Sequence, residues 1–94
     1  MAGEFKLSRR LEIGNKRGLH ARASAKFVQT AEQFDAEIEV EKDGLKVGGD
    51  SIMGLMMLAA GSGSFITLRA AGPQAEQALQ ALEKLVKSRF GEGE

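Results

Sequence analysis

Apolar and polar positions alternate along some stretches of this chain and recur at helical spacing along others. Glycine-rich turns separate the two patterns. Lys6 to Ile13 reads as a first strand. Leu7, Leu11 and Ile13 share one side, and Arg9 interrupts the alternation at either a bulge or a sheet edge. Gly14 to Gly18 is turn chemistry. From about Ala21 to Gln33, a stripe of Ala21, Ala25, Val28 and Ala31, with Phe27 beside it, predicts a helix packed closely on a sheet. Glu37-Ile38-Glu39-Val40-Glu41 alternates strictly, as a strand with Ile38 and Val40 buried and three glutamates wet. Asp43-Gly44 is a hairpin signal, after which Leu45 to Val47 returns as a short strand.

Gly48-Gly49-Asp50-Ser51 ends that strand and opens a short helix capped by Asp50 or Ser51. Ile52, Met53, Leu55, Met56, Met57 and Leu58 leave this helix almost without a polar face. A domain of this size does not enclose a helix on every side. Leu55 and Leu58 are therefore assigned to the core, and Ile52, Met53 and Met56 to an exposed apolar patch. Methionine suits a surface that meets several partners, because it repacks easily.

Ala59 to Gly63 is a small-residue loop, and Ser64 to Ala70 a fourth strand with Ile66 and Leu68 inward and Thr67 and Arg69 outward. Gly72-Pro73 starts the last helix, with proline at its first position and Glu76 in its first turn. Ala75, Ala78, Leu79, Leu82, Leu85 and Val86 form its apolar stripe, and Gly91 its C-terminal cap. Residues 1–5 and 91–94 read as loose ends. The order β-α-β-β-α-β-α predicts a single α+β domain over residues 1–94, a four-stranded antiparallel sheet with three helices on one face.

Composition narrows the chemistry. There is no cysteine and one histidine among the 94 residues, which excludes disulfides and thiol chemistry and argues against a histidine- or thiolate-based zinc site. No apolar run approaches about 18 residues, and the first residues lack the plan of a signal peptide, so the expected location is cytoplasmic with no membrane insertion. The net charge is zero but unevenly placed. Residues 1–35 carry seven lysines and arginines against four acids, and residues 36–94 carry six against nine. The basic half could attract a phosphorylated donor or an acidic partner surface. Overall neutrality and the lack of an aromatic stacking array argue against nucleic-acid binding.

That basic half contains the one histidine, in Gly18-Leu19-His20-Ala21-Arg22-Ala23-Ser24-Ala25. His20 stands where a turn passes into the first helix. A helix start offers free N–H groups and a positive dipole end, and both favour anions. Arg22 adds a permanent cation with forked donors suited to phosphate. Neutral imidazole is a nucleophile near neutral pH. Together these residues could hold a phosphoryl group on His20. A lone histidine in a loop is also commonly a solvated surface residue. Ser24 has no acid–base partner in view and reads as a small polar residue in a helical first turn.

Gly18-Leu19-His20-Ala21-Arg22, followed about thirty residues later by Asp50-Ser51-Ile52-Met53-Gly54-Leu55-Met56, resembles the HPr family of histidine-containing phosphocarriers of the bacterial phosphoenolpyruvate-dependent phosphotransferase system. The resemblance runs from about Leu7 to Phe90. It implies the open-faced β-sandwich of that family, with His20 and the Ile52/Met53/Met56 patch as neighbours. It also implies a phosphocarrier without turnover of its own and without a cofactor. Enzyme I, charged by phosphoenolpyruvate, would phosphorylate His20 on Nδ1, and His20 would pass the group to a histidine on an EIIA-type protein, with Arg22 stabilising the phosphate. In relatives from some bacteria the serine matching Ser51 is phosphorylated by a dedicated kinase, which makes Ser51 a regulatory candidate.

Two departures stand out. The family usually has proline after the arginine, where this chain has Ala23, so φ in the first helical turn is not pre-set. Asp50 stands where many relatives carry lysine, and its charge opposes a phosphate on Ser51. Both departures lean toward a regulatory, nitrogen-type paralogue acting mainly by docking rather than in sugar uptake. A plain interaction module with an inert His20 is a further alternative. A monomer is the simplest expectation for a carrier that docks on different partners.

Overall fold

The computed structural model describes Phe5 and residues 7–92. Lys6 and most of the two expected loose ends lie outside the described residues. Strand β1 (Leu7–Glu12) is followed by α1 (Ala21–Ala31), β2 (Glu37–Lys42), β3 (Leu45–Gly48), α2 (Ile52–Met57), β4 (Phe65–Ala71) and α3 (Ala75–Lys87), with a short 3-10 turn at Arg89–Gly91. The strands form one antiparallel sheet in the order β1-β4-β2-β3. The three helices cover one face, and the core lies between the layers. Phe27 of α1, Leu55 of α2, Leu79 and Leu82 of α3, and Val40, Ile66 and Leu68 of the sheet are fully buried there. Each large side chain removed from water in this way contributes roughly 1.5–3 kcal/mol.

Arg9 has a definite explanation. β1 pairs with β4 without interruption from Leu7↔Ala70 to Glu12↔Phe65, so there is no bulge, and β1 is an edge strand. From that edge the Arg9 guanidinium reaches the helix layer, with Nη2 2.8 Å from Glu76 Oε2 on α3. Of the three glutamates expected to be wet, only Glu37 is exposed. Glu39 and Glu41 are half-buried because Arg69, paired with Glu39 across β2 and β4, bridges both carboxylates.

The inward face of α1 differs from the expected stripe. Ala23, Ser24, Phe27, Val28 and Ala31 are buried, Ala25 is half-buried and Ala21 is exposed. Ser24 completes an i, i+3, i+4, i+7 set with Phe27, Val28 and Ala31. Its hydroxyl donates to the carbonyl of Leu19 at 3.1 Å, which removes the cost of burying it.

The last helix also starts later than Pro73. The Gly72–Gln74 turn is tied to Asp35 by two hydrogen bonds, from the Gln74 N–H to the Asp35 carbonyl and from the Asp35 N–H to Gln74 Oε1, so α3 begins at Ala75. It ends at Ser88 rather than at Gly91. Arg89, Phe90 and Gly91 then follow with φ of 58°, 56° and 71°. This left-handed run turns the chain back toward the start of α1, and Phe90 is fully buried.

Candidate functional site

Asn15 lies in the β1–α1 turn and is fully buried. Its Nδ2 donates to the carbonyl of Gly18 at 2.8 Å and to Glu92 Oε1 at 3.1 Å. Both partners are acceptors only, so the amide must point its NH2 at them. Asn15 Oδ1 is left buried without a hydrogen-bond partner among the described residues. Gly18 has φ +67°, and a Cβ there would fall 2.3 Å from the Ala60 carbonyl oxygen. Glycine thus lets the α2–β4 loop close on the turn, where the Leu19 N–H donates to that same carbonyl at 3.0 Å.

His20 is itself the N-cap of α1, with extended backbone (φ −74°, ψ −178°). Its carbonyl accepts from the Ser24 N–H, and its Nδ1 accepts from the Arg22 N–H at 3.3 Å. An imidazole here takes the role usually filled by Ser, Thr, Asp or Asn. The other ring nitrogen, Nε2, is hydrogen-bonded to Glu92 Oε2. The side chains of His20 and Glu92 are 15 % and 13 % exposed, so the pair is mostly shielded from solvent while the ring keeps a solvent-facing edge.

Burial alone would push the Glu92 carboxyl up. The hydrogen bonds from His20 and Asn15, together with the charges of His20 and Arg17, outweigh it and hold the carboxyl below its ordinary value. Glu92 lies in the tail expected to be loose, and nothing in its sequence context marks it. Lys26 of α1 helps to hold that tail, with Nζ donating to the Phe90 carbonyl at 2.7 Å.

Of the remaining candidate residues, Arg22 is exposed on the first turn of α1, and only its backbone N–H is seen on the ring. Ala23, the position usually held by proline, is fully buried within a regular first turn. Ile52, Met53 and Met56 are exposed by 40 %, 71 % and 41 %, and Met57, not expected in this patch, is exposed by 66 %. Leu55 and Leu58 are buried beneath them. α2 packs on α1, and its C-terminal end leads into the Ala59–Ala60 segment that touches the His20 turn.

Ser51, rather than Asp50, caps α2. Its Oγ accepts from the Gly54 N–H at 2.9 Å, and the residue is half-buried. It stands at the end of α2 away from the His20 turn, about 9 Å of helix along. The basic excess of residues 1–35 is divided. Arg9 is engaged with α3 and Arg10 lies over the Phe65 ring, whereas Arg17 acts on Glu92, Lys26 holds the Phe90 carbonyl and Arg22 is exposed on the first turn of α1.

A four-stranded antiparallel sheet covered by three helices, with a histidine capping α1 and an apolar α2 packed on that helix, defines the open-faced sandwich class. Residues 7–88 match the family model described as the PTS HPr component phosphorylation site. The chain therefore belongs to the HPr phosphocarrier family, whose members carry a phosphoryl group and do not turn over a substrate. It is 53 % identical over 88 residues to the phosphocarrier protein HPr of Neisseria meningitidis, covering 94 % of this chain and 99 % of that one. It is 45 % identical over 87 residues to the phosphocarrier protein NPr of Shewanella violacea, covering 93 % and 96 %. The crystal structure of HPr-C-His from Thermoanaerobacter tengcongensis superposes with a TM-score of 0.90 at 47 % identity, covering 95 % of this chain and all of that one. No helix among the described residues is long and apolar enough to cross a membrane.

Proposed function

We propose that this protein relays a phosphoryl group within the phosphotransferase system of the cytoplasm, and that Nδ1 of His20 carries it. The observation that supports this most is the position of Nδ1, held against the Arg22 N–H in the first turn of α1, with the exposed Arg22 side chain carried on the same turn. Enzyme I, charged from phosphoenolpyruvate, is the donor, and a histidine of an EIIA-type protein is the acceptor. As the Nδ1–P bond forms, the bond from phosphorus to the donor nitrogen breaks and its electron pair returns to the donor ring. The Arg22 N–H, which now caps Nδ1, turns to a phosphoryl oxygen. The helix dipole and the Arg22 side chain stabilise the charge on the group in transit. These contacts are few, which suits a group that must leave again.

The Ile52, Met53 and Met56 patch, with Met57, docks both partners on one adaptable surface. Phosphorylation of Ser51, by a dedicated kinase where one exists, would place about two negative charges at the patch edge and weaken docking of acidic partners. Asp50 opposes that modification. The resemblance to NPr, together with Ala23 and Asp50, supports a second reading in which the downstream branch is regulatory rather than sugar uptake.

Incubation with enzyme I and phosphoenolpyruvate, followed by intact mass measurement, tests the relay. One acid-labile phosphate is expected on the native protein and none on His20→Ala. Absence of label on the native protein, with enzyme I active on itself, would overturn the relay and leave the docking surface as the functional element.

A further inference from the structure

A hydrogen bond that the relay itself does not require joins the chain's tail to its acceptor histidine. Glu92 Oε2 meets Nε2 of His20, while Glu92 Oε1 takes a proton donor from Asn15. Three features hold the carboxylate there. Asn15 is buried and forced into one amide orientation, with Oδ1 left without a partner among the described residues. Arg89 and Phe90 adopt left-handed backbone that non-glycine residues avoid. Phe90 is locked in the core, and its carbonyl is held by Lys26. Each of the first two features costs free energy, and neither is needed to finish α3.

We propose that Glu92 is a positioning residue for the phosphoacceptor: it keeps the proton of neutral His20 on Nε2, so that Nδ1 presents its lone pair to the incoming phosphorus, and Asn15 positions Glu92. This rests on the phosphocarrier reading above and deepens it.

The chemistry follows from the inventory of groups. A carboxylate only accepts, so a neutral ring facing Glu92 must carry its proton on Nε2. The Arg22 N–H only donates, so Nδ1 facing it must be the unprotonated nitrogen. The two contacts therefore select the same tautomer from opposite sides of the ring. When Nδ1 attacks phosphorus, the Nε2 proton stays in place and the ring takes on positive charge, which the carboxylate stabilises. When the group departs, the electron pair of the N–P bond returns to Nδ1 and the same tautomer is restored. No proton has to move in either direction. Among the described residues, cationic groups stand near the pair and the tail: Arg17 in the turn, Arg22 and Lys26 on α1, and Arg89 beside Gly14. Glu92 brings a carboxylate to this cationic surrounding.

The test compares the full-length native protein with Glu92→Gln and Glu92→Ala. Nitrogen-15 NMR at about pH 8.5, where ordinary imidazole is neutral, reads the tautomer directly. The native ring is expected almost entirely as the Nε2–H form, and both variants as a mixture. Potassium phosphoramidate serves as a chemical donor that involves no partner protein. Attack by Nδ1 forms the N–P bond, and ammonia leaves. Its reaction at His20 is expected to slow about tenfold in the variants, in line with the loss of a carboxylate partner from a working imidazole. Unchanged tautomer populations and rate in both variants would overturn the proposal. If the tautomer shifts as expected while enzyme I still fails to label the native protein, the positioning role stands and the relay reading is the one that fails.

Discussion

Two stretches of this chain place consecutive residues in left-handed backbone, and they do so at different cost. At the β2–β3 hairpin, Asp43 and Gly44 have φ of 53° and 86°. At the end of α3, Arg89, Phe90 and Gly91 have φ of 58°, 56° and 71°. The hairpin uses residues that enter this region readily, it is exposed, and a Cβ at Gly44 would meet nothing within 4 Å. It only has to return the chain. The C-terminal turn puts an arginine and a phenylalanine where they are disfavoured by about 1–2 kcal/mol each. Burial of Phe90 and the Lys26 hydrogen bond offset that cost. The result is a carboxylate on His20. Locally consistent backbone marks the scaffold, and locally inconsistent backbone held by tertiary contacts marks the site.

Substitutions can separate the two. The largest effect is expected at Phe90→Ala, which empties a fully buried aromatic site. It should cost about 3–5 kcal/mol in chemical denaturation and free the tail from His20, seen as loss of the Glu92 contact by NMR. Gly18→Ala should cost about 2–3 kcal/mol, because its Cβ would collide with the Ala60 carbonyl and its φ is left-handed. A loss below about 1 kcal/mol there would mean that the α2–β4 loop yields easily. Gly44→Ala should cost about 1 kcal/mol by backbone strain alone and leave the His20 ring signals unchanged. The smallest effect is expected at Arg89→Gly. Relief of strain should stabilise the fold by a few tenths to about 1 kcal/mol with the tail still in place. Destabilisation at Arg89→Gly would contradict the view that this turn is strained.

Acid should act on one stretch and leave the other. The Glu92 carboxyl is held below its ordinary value of 4.5 in the fold. Its contribution is therefore fully present above pH 4.5 and is lost as the pH falls through the lower folded value. The NMR signals of Glu92 and of the Asn15 side-chain amide should shift in that acid range, with the Gly44 signal unmoved.

The sheet, the hairpin and α2 were legible because burial, turn chemistry and capping agree along those stretches. Ile38 and Val40 alternate, Asp43-Gly44 names its own turn, and Ser51 stands where a cap belongs. His20, Arg22 and the Ile52/Met53/Met56 patch were legible from helix position and from the family pattern. Glu92 and Asn15 were not. Their partners lie 72 and 77 residues away in the chain, and no local periodicity encodes such a contact. The end of α3 misled because Gly91 looks like a cap, while the helix stops three residues earlier at Ser88, where Phe90 is drawn into the core. The expected stripe of α1 missed Ser24 because a buried hydroxyl bonded to a nearby carbonyl counts as polar in any pattern.

The most direct measurement is phosphorus–nitrogen coupling in nitrogen-15 labelled protein charged by enzyme I and phosphoenolpyruvate. A single phosphorus coupled to Nδ1 of His20, with the proton on Nε2, is the predicted result. Phosphorus on Nε2, or on Ser51 with His20 unmodified, would contradict the assignment of Nδ1 as the acceptor.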